Sequence, residues 1–216
     1  MQKDAFYIEL CNSGIIIEDA DTVHIEKTVK IGKGTVIEPN NVLKGKTVIG
    51  KNVKLKSGNY IEDGIIEDDC QIMLSRVNSS SVGRASQIGP FSHLRPCSLI
   101  GEECRIGNFV EIKNSTIGNK TKIAHLSYVG DAVIGSCVNI GCGVVTVNYD
   151  GKLKHKTIIE DHAFVGSNVN LVAPVKVGKG AVIAAGSTIT EDVPALALGI
   201  ARSRQANKMD YKKHNP

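Results

Sequence analysis

His125 stands in the run Ile123-Ala-His-Leu-Ser-Tyr128, where an imidazole facing solvent takes up a proton near neutral pH, as a general base must. Position alone equally allows an ordinary corner histidine. Arg95 and Lys113 lie 18 residues apart, each directly after an aliphatic residue, Leu94 and Ile112. If that distance is one structural repeat, the two cations stack on one face. A stacked pair suits a phosphate, with arginine giving a directional fork and lysine a point charge, and otherwise reads as solvated charge. The segment 147–158 adds Asn148, Tyr149, Lys154, His155 and Lys156, a concentration of polar and cationic groups around an Asp-Gly turn signal.

The elements that must position these groups are written in a six-residue period. Ile25, Ile31, Ile37, Leu43, Ile49, Leu55 and Ile61 follow one another at that spacing. The register slips by one at Ile66 and Ile72, then resumes as Val82, Ile88, Leu94, Ile100, Ile106 and Ile112. Further slips give Ile117, Ile123 and Val129, then Ile134 and Ile140; after an interruption come Ile159, Val165, Leu171, Val177, Ile183 and Ile189. An amphipathic helix requires apolar residues at three and four, and a half-buried antiparallel strand requires alternation, so neither fits. One aliphatic per flat side of a coil does, with three hexapeptides closing a turn and stacked coils making one inner column. Small residues after the period position, such as Gly83, Gly101, Gly118 and Gly135, mark corners where a side chain would crowd the bend or demand a costly φ.

The expected architecture is all-β, a parallel β-helix of hexapeptide repeats over 21–190. Residues 1–20 are expected as an irregular or short helical cap, 147–158 as a loop ejected from the prism, and 191–216 as a C-terminal tail, basic and exposed from 203 onward. The period does not fix the hand of the coil.

Composition supports short strands and tight turns: 22 glycines, only 4% aromatic residues and no tryptophan, within 42% hydrophobic residues rich in Val and Ile. The net charge of +4 comes from interspersed residues, so no nucleic-acid tract is expected, while small phosphate-bearing molecules remain plausible partners. No segment has the roughly 20 apolar residues that span a bilayer, and no signal peptide or membrane partner is expected. Six cysteines without a CxxC pair read as reduced thiols of a cytoplasmic protein. No Walker loop, GxGxxG, HExxH or GxSxG is present, and the six histidines show no ligand spacing, so no metal site is expected.

The stretches Gly89-Pro-Phe-Ser-His-Leu-Arg-Pro96, Ile106-Gly-Asn-Phe-Val-Glu-Ile-Lys-Asn114, His125-Leu-Ser-Tyr-Val-Gly-Asp131, Val138-Asn-Ile-Gly141, Asn148-Tyr-Asp-Gly151, His155-Lys-Thr-Ile-Ile159 and Phe164-Val-Gly-Ser-Asn168 are more specific than the period. From about residue 10 to 205 the chain resembles the C-terminal acetyltransferase domain of the bifunctional N-acetylglucosamine-1-phosphate uridyltransferase / glucosamine-1-phosphate acetyltransferase family. The resemblance implies a left-handed coil and a homotrimer with sites between subunits. It also implies acetyl-CoA as co-substrate, with no metal required for acetyl transfer, and the 2-amine of glucosamine-1-phosphate as acceptor, in the precursor pathway of UDP-N-acetylglucosamine. Carried over position by position, it implies His125 as catalytic base and Arg95, Lys113, Tyr128, Asn139 and Lys154 as ligands of the sugar phosphate. Asn148, Tyr149, Ser167, Ala185 and Arg202 correspond to acetyl-CoA contacts, and the backbone N–H near Cys142 to the donor for the developing oxyanion.

Cys142 and Cys97 replace the family's usual Ala and Gly, and a thiol at 142 is expected to make the site sensitive to alkylation. The family's nucleotidyltransferase domain has no counterpart in this sequence, so a monofunctional acetyltransferase is expected, with a separate uridylyltransferase as a conceivable partner. Two alternatives stay open: another amino-sugar phosphate or nucleotide-linked sugar as acceptor, and a non-catalytic trimeric scaffold for a separate nucleotidyltransferase.

Overall fold

A computed structural model describes residues 5–209 and shows a left-handed parallel β-helix of about ten turns. Most strands are two or three residues long, such as Leu99–Ile100 and Val145–Val147, because each flat side of the prism accommodates no more before the chain must bend. Successive coils pair in parallel at offsets that follow the hydrophobic period. Lys30 faces Val48 one full coil on, and Val48 faces Ile65 where the period shortens to five. A one-residue slip in the sequence is thus absorbed at a corner, and the inward column continues unbroken.

Three inward columns run the length of the prism. Ile72, Ile88, Ile106 and Ile123 stack in one, Val77, Leu94, Ile112 and Val129 in the second, and Val82, Ile100, Ile117 and Ile134 in the third. All of these are buried. Val77 fills the gap that the period left between Ile72 and Val82. At the next position of the second column the core admits Thr146, whose hydroxyl accepts the Gly130 N–H at 2.8 Å and donates to the Gly130 carbonyl at 3.0 Å, so no polar atom is stranded. Ile112 is wholly buried between coils, and Ile112→Ala is expected to cost about 2–5 kcal/mol in chemical denaturation, the range for emptying an aliphatic core site.

Gly83, Gly101, Gly118 and Gly135, after the period positions, are explained by crowding rather than by φ. A Cβ on Gly83 would lie 2.6 Å from the carbonyl carbon of Gly101, and one on Gly118 2.5 Å from that of Gly135. Positive φ falls at other corner positions, on side-chain-bearing residues such as Asn52, Asp69, Glu103 and Lys120 and on glycines such as Gly34 and Gly45, while Gly89 after Ile88 combines it with crowding. Buried polar residues line the corners from inside and cap carbonyls of the next coil, as Ser86 does to Gly101 and Thr121 to Gly135. Cys70 and Cys104 occupy the same file, their thiols reaching the carbonyls of Gly83 and Gly118, and burial pushes the Cys70 thiol up to about 11. All six cysteines are free, and these two are shielded from solvent.

At the N-terminal end the helix Ala5–Asn12 covers the first coil, with Tyr7 donating to the Val23 carbonyl and accepting from the Ile25 N–H. Coiling begins before residue 21, since Ile16–Ile17 already pairs with Val36–Ile37. It also continues beyond 190. Leu198–Gly199 pairs with Val182–Ile183, and buried Val193 bridges Val177, so the segment expected to open the tail completes one more coil. Its signal was a single valine outside the six-residue spacing. Residues 200–209 are exposed, and the remainder of the expected basic tail, 210–216, lies outside the described residues.

Candidate functional site

Among the described residues two strands differ from all the others. Arg105–Lys113 and Lys122–Gly130 are nine residues long and run through a corner rather than stopping at it. Their register pairs Asn108 with His125, Glu111 with Tyr128 and Lys113 with Gly130. The chemistry-bearing residues therefore sit at fixed heights on two adjoining sides of the prism.

On one edge of that corner the coils stack residues in a single file. Asn108 lies beside His125, and the next coils bring Cys142, Ser167 and Ala185. The file is set by the Gly143 N–H on the Leu126 carbonyl, the Asn168 N–H on Cys142 and the Gly186 N–H on Ser167. Arg202 follows, its side chain beside Gly186. At about 4.8 Å per coil the file from His125 to Arg202 spans roughly 20 Å. His125 is exposed, and its Nδ1 lies 2.8 Å from the Asn108 Oδ1. Gly141 and Gly143 spend their N–H groups on Val165 and Leu126, whereas among the described residues the Cys142 N–H between them donates to no ladder carbonyl. Asn139 lies on the flat side leading to Cys142, half-buried and paired with Lys122 and Phe164.

Across the corner is a cationic cluster. Arg95 and Lys113 are ladder neighbours, with the Arg95 N–H on the Ile112 carbonyl, so the spacing of one coil is realised. The Arg95 guanidinium turns to Glu111 at 2.7 Å, and this partner raises its pKa. The Lys154 amine beside Lys113, together with Arg95, holds the Lys113 ammonium below the ordinary lysine range. Two ammonium groups this close favour an anion between them. Tyr128 and Asn148 meet over Gly130, where an added Cβ would contact both side chains.

The loop that carries Lys154 is organised by two carboxylates. The coil pairing jumps from Val133 to Ile158, so the residues between Asn148 and Thr157 are extruded, as the lost period anticipates. Within the loop Asp150 accepts from the N–H groups of Lys152 and Leu153, and its other oxygen lies 2.7 Å from His155 Nε2, drawing Tyr149 and Lys154 into a bridge. These donors hold the Asp150 carboxyl far below the usual carboxylate range. At the root, buried Asp131 accepts from the side-chain amides of Asn114 and Asn148, and its carbonyl accepts the Thr157 N–H. Burial pushes the Asp131 carboxyl up, but those amides and the nearby Lys154 and Lys113 ammonium groups outweigh it and keep it ionised. Asp131 thus fastens both ends of the loop. Asp131→Ala is expected to free Asn148 and the Lys154 loop, raising limited-proteolysis cleavage within 147–158 by about tenfold, the scale of losing a charged hydrogen bond.

Spacing and resemblance do not single out Asn108, Glu111 or Asp131, and they mark Asp150 only as part of the Asp-Gly turn signal. Asn108 and Glu111 were findable by counting one short coil back from His125 and Tyr128. Asp131 was findable by the same count, one short coil from both Asn114 and Asn148, whereas Asp150 gathers its partners within the extruded loop, where no coil spacing applies.

A model described as GMPPB C-terminal domain matches residues 20–103, and one described as Bacterial transferase hexapeptide (six repeats) matches 156–191. The protein described as bifunctional protein GlmU of Exiguobacterium is 53% identical over 204 residues, covering 94% of this chain and 45% of that protein. That of Thermodesulfovibrio yellowstonii is 55% identical over 201 residues, covering 93% and 44%. The chain is a hexapeptide-repeat protein that resembles the C-terminal half of GlmU. It spans under half the length of these curated relatives. Among solved structures, the UDP-N-acetylglucosamine acyltransferase LpxA from Bacteroides fragilis shares the fold at 19% identity and a TM-score of 0.61, covering 82% of this chain and 69% of that one. Among the described residues no helix is long and apolar enough to cross a membrane, and no cluster of His, Cys, Asp and Glu suits a metal ion.

Proposed function

We propose that this protein transfers the acetyl group of acetyl-CoA to the 2-amine of glucosamine-1-phosphate. The observation that carries the reading is the pairing of an exposed His125, at the head of a file that ends at Arg202, with the Arg95, Lys113 and Lys154 cluster across the same corner. The file offers an extended acyl carrier a straight edge of about 20 Å, with Arg202 at the far end for its phosphates. Ser167 and Ala185 are the contacts proposed along it, with Asn148 and Tyr149 proposed as further acetyl-CoA contacts from the loop across the corner. The cluster takes the sugar phosphate, with Tyr128 and Asn139 as ligands of its hydroxyl groups.

In the reaction the amine lone pair forms a bond to the thioester carbonyl carbon while His125 accepts the proton that nitrogen sheds. The Cys142 N–H donates to the oxygen as negative charge develops on it. The C–S bond then breaks, and the proton passes to the departing CoA thiolate, leaving the amide and free CoA with the imidazole neutral again.

The working form proposed is a homotrimer. Leu74, Phe91, Phe109 and Leu126 stack as an exposed apolar ridge on the corner beside His125, with the two phenyl rings 5.3 Å apart and nearly parallel, a surface that a second copy would cover. The file and the cation cluster lie on different sides of that corner, so a neighbouring copy would complete the cleft. Release of CoA from acetyl-CoA by the purified protein tests the reaction, with glucosamine-1-phosphate as acceptor and glucosamine and glucosamine-6-phosphate as controls. Release with the 1-phosphate alone supports enzyme and acceptor together, and no release with any of the three refutes the proposed acceptor.

A further inference from the structure

We propose that Asn108 is a positioning residue that fixes the His125 imidazole in its Nδ1–H tautomer and so leaves Nε2 as the proton-accepting atom. The inference rests on the base role given to His125 above, but the state of the ring can be observed without turnover.

The geometry is specific. Asn108 Oδ1 lies 2.8 Å from His125 Nδ1. A carboxamide oxygen only accepts, so this contact requires the hydrogen of a neutral imidazole to be on Nδ1 and the lone pair on Nε2. The backbones of the two residues are held in register by the long ladder between Arg105–Lys113 and Lys122–Gly130, from Arg105 against Lys122 to Lys113 against Gly130. The neighbour of His125 on the following coil is Cys142, a weak and uncharged partner, and no carboxylate among the described residues forms an ion pair with His125. Orientation of the ring therefore falls to Asn108.

A neutral amide suits this task. A carboxylate in its place would stabilise the imidazolium and hold the proton more tightly, whereas an amide aligns the ring without placing a charge beside it. The acetyl-transfer cycle needs a base that also gives its proton back to the thiolate.

The test is nitrogen NMR of the uniformly labelled full chain above the titration range of the ring, with the His125 signals assigned by their loss in His125→Ala. The expected spectrum has His125 Nδ1 protonated and Nε2 bare. Asn108→Ala is expected to shift the population toward the Nε2–H form and to lower kcat about tenfold at an unchanged KM for acceptor. Asn108→Asp, which restores an acceptor at the same place, is expected to return the Nδ1–H form. A wild-type ring protonated on Nε2, or an Nδ1–H population untouched by Asn108→Ala, overturns the proposal. If Asn108→Ala does not fold, the wild-type and Asn108→Asp spectra decide. A wild-type protein with the expected tautomer and no acetyl transfer would instead refute the function proposed above.

Discussion

Replacing His125 with alanine is expected to lower acetyl transfer by about 10²–10⁴-fold, the range for a positioned general base, with folding unchanged. The expectation of an intact fold comes from the place of the residue. His125 is exposed, and among the described residues its side chain makes one hydrogen bond, to Asn108. The columns that hold the coils together, Ile106 on Ile123 and Ile112 on Val129, lie on the inside of the same strands and are untouched. A steady-state assay of CoA release beside a thermal melt separates the two effects. Rates within a few-fold of wild type would remove the base from the mechanism. Loss of the melting transition would instead show that the corner depends on the ring.

How much was legible in the sequence follows from what the period can encode. The parallel coil, its inward aliphatic columns and the extrusion of the loop near Asn148 were readable because one buried side chain per flat side is a local rule that repeats. The stacking of Arg95 and Lys113 followed from coil length alone. The end of the helix was not readable, since Val193 continues the column at a spacing the period does not predict. The Asp131 network was legible in part, and the Asp150 network was hidden. Asn114 and Asn148 each stand one short coil from Asp131, so their stacking was countable while the amide contacts themselves depend on rotamers; Lys152, Leu153 and His155 are gathered around Asp150 by a turn whose conformation no six-residue rule describes. Arg95 was legible as a cation but not as a partner of Glu111, because a side chain's choice of neighbour depends on rotamers that spacing does not fix. In this fold the scaffold is written in the repeat, and the site lies where two strands overrun a corner and one coil is interrupted.

Lys113→Met is expected to raise KM for the sugar phosphate about 10–100-fold, as loss of a charge-assisted hydrogen bond of roughly 1.5–3 kcal/mol implies, with a smaller change in kcat. The electrostatics add a pH signature. In the free protein the Lys154 amine beside Lys113, with Arg95 nearby, lowers the Lys113 pKa from the ordinary lysine value. A bound phosphate dianion favours the charged ammonium and raises that pKa again. Between the free and bound values, binding therefore takes up a proton, and affinity for the acceptor falls as pH rises through the free-protein value. Acceptor KM measured against pH is expected to climb on the alkaline side in wild type. Lys154→Met, which removes the neighbouring charge, is expected to move that climb to higher pH, since Lys113 then holds its proton longer. A KM profile unmoved by Lys154→Met would mean that the two amines do not share the anion, and the phosphate would have to be placed against Arg95 alone.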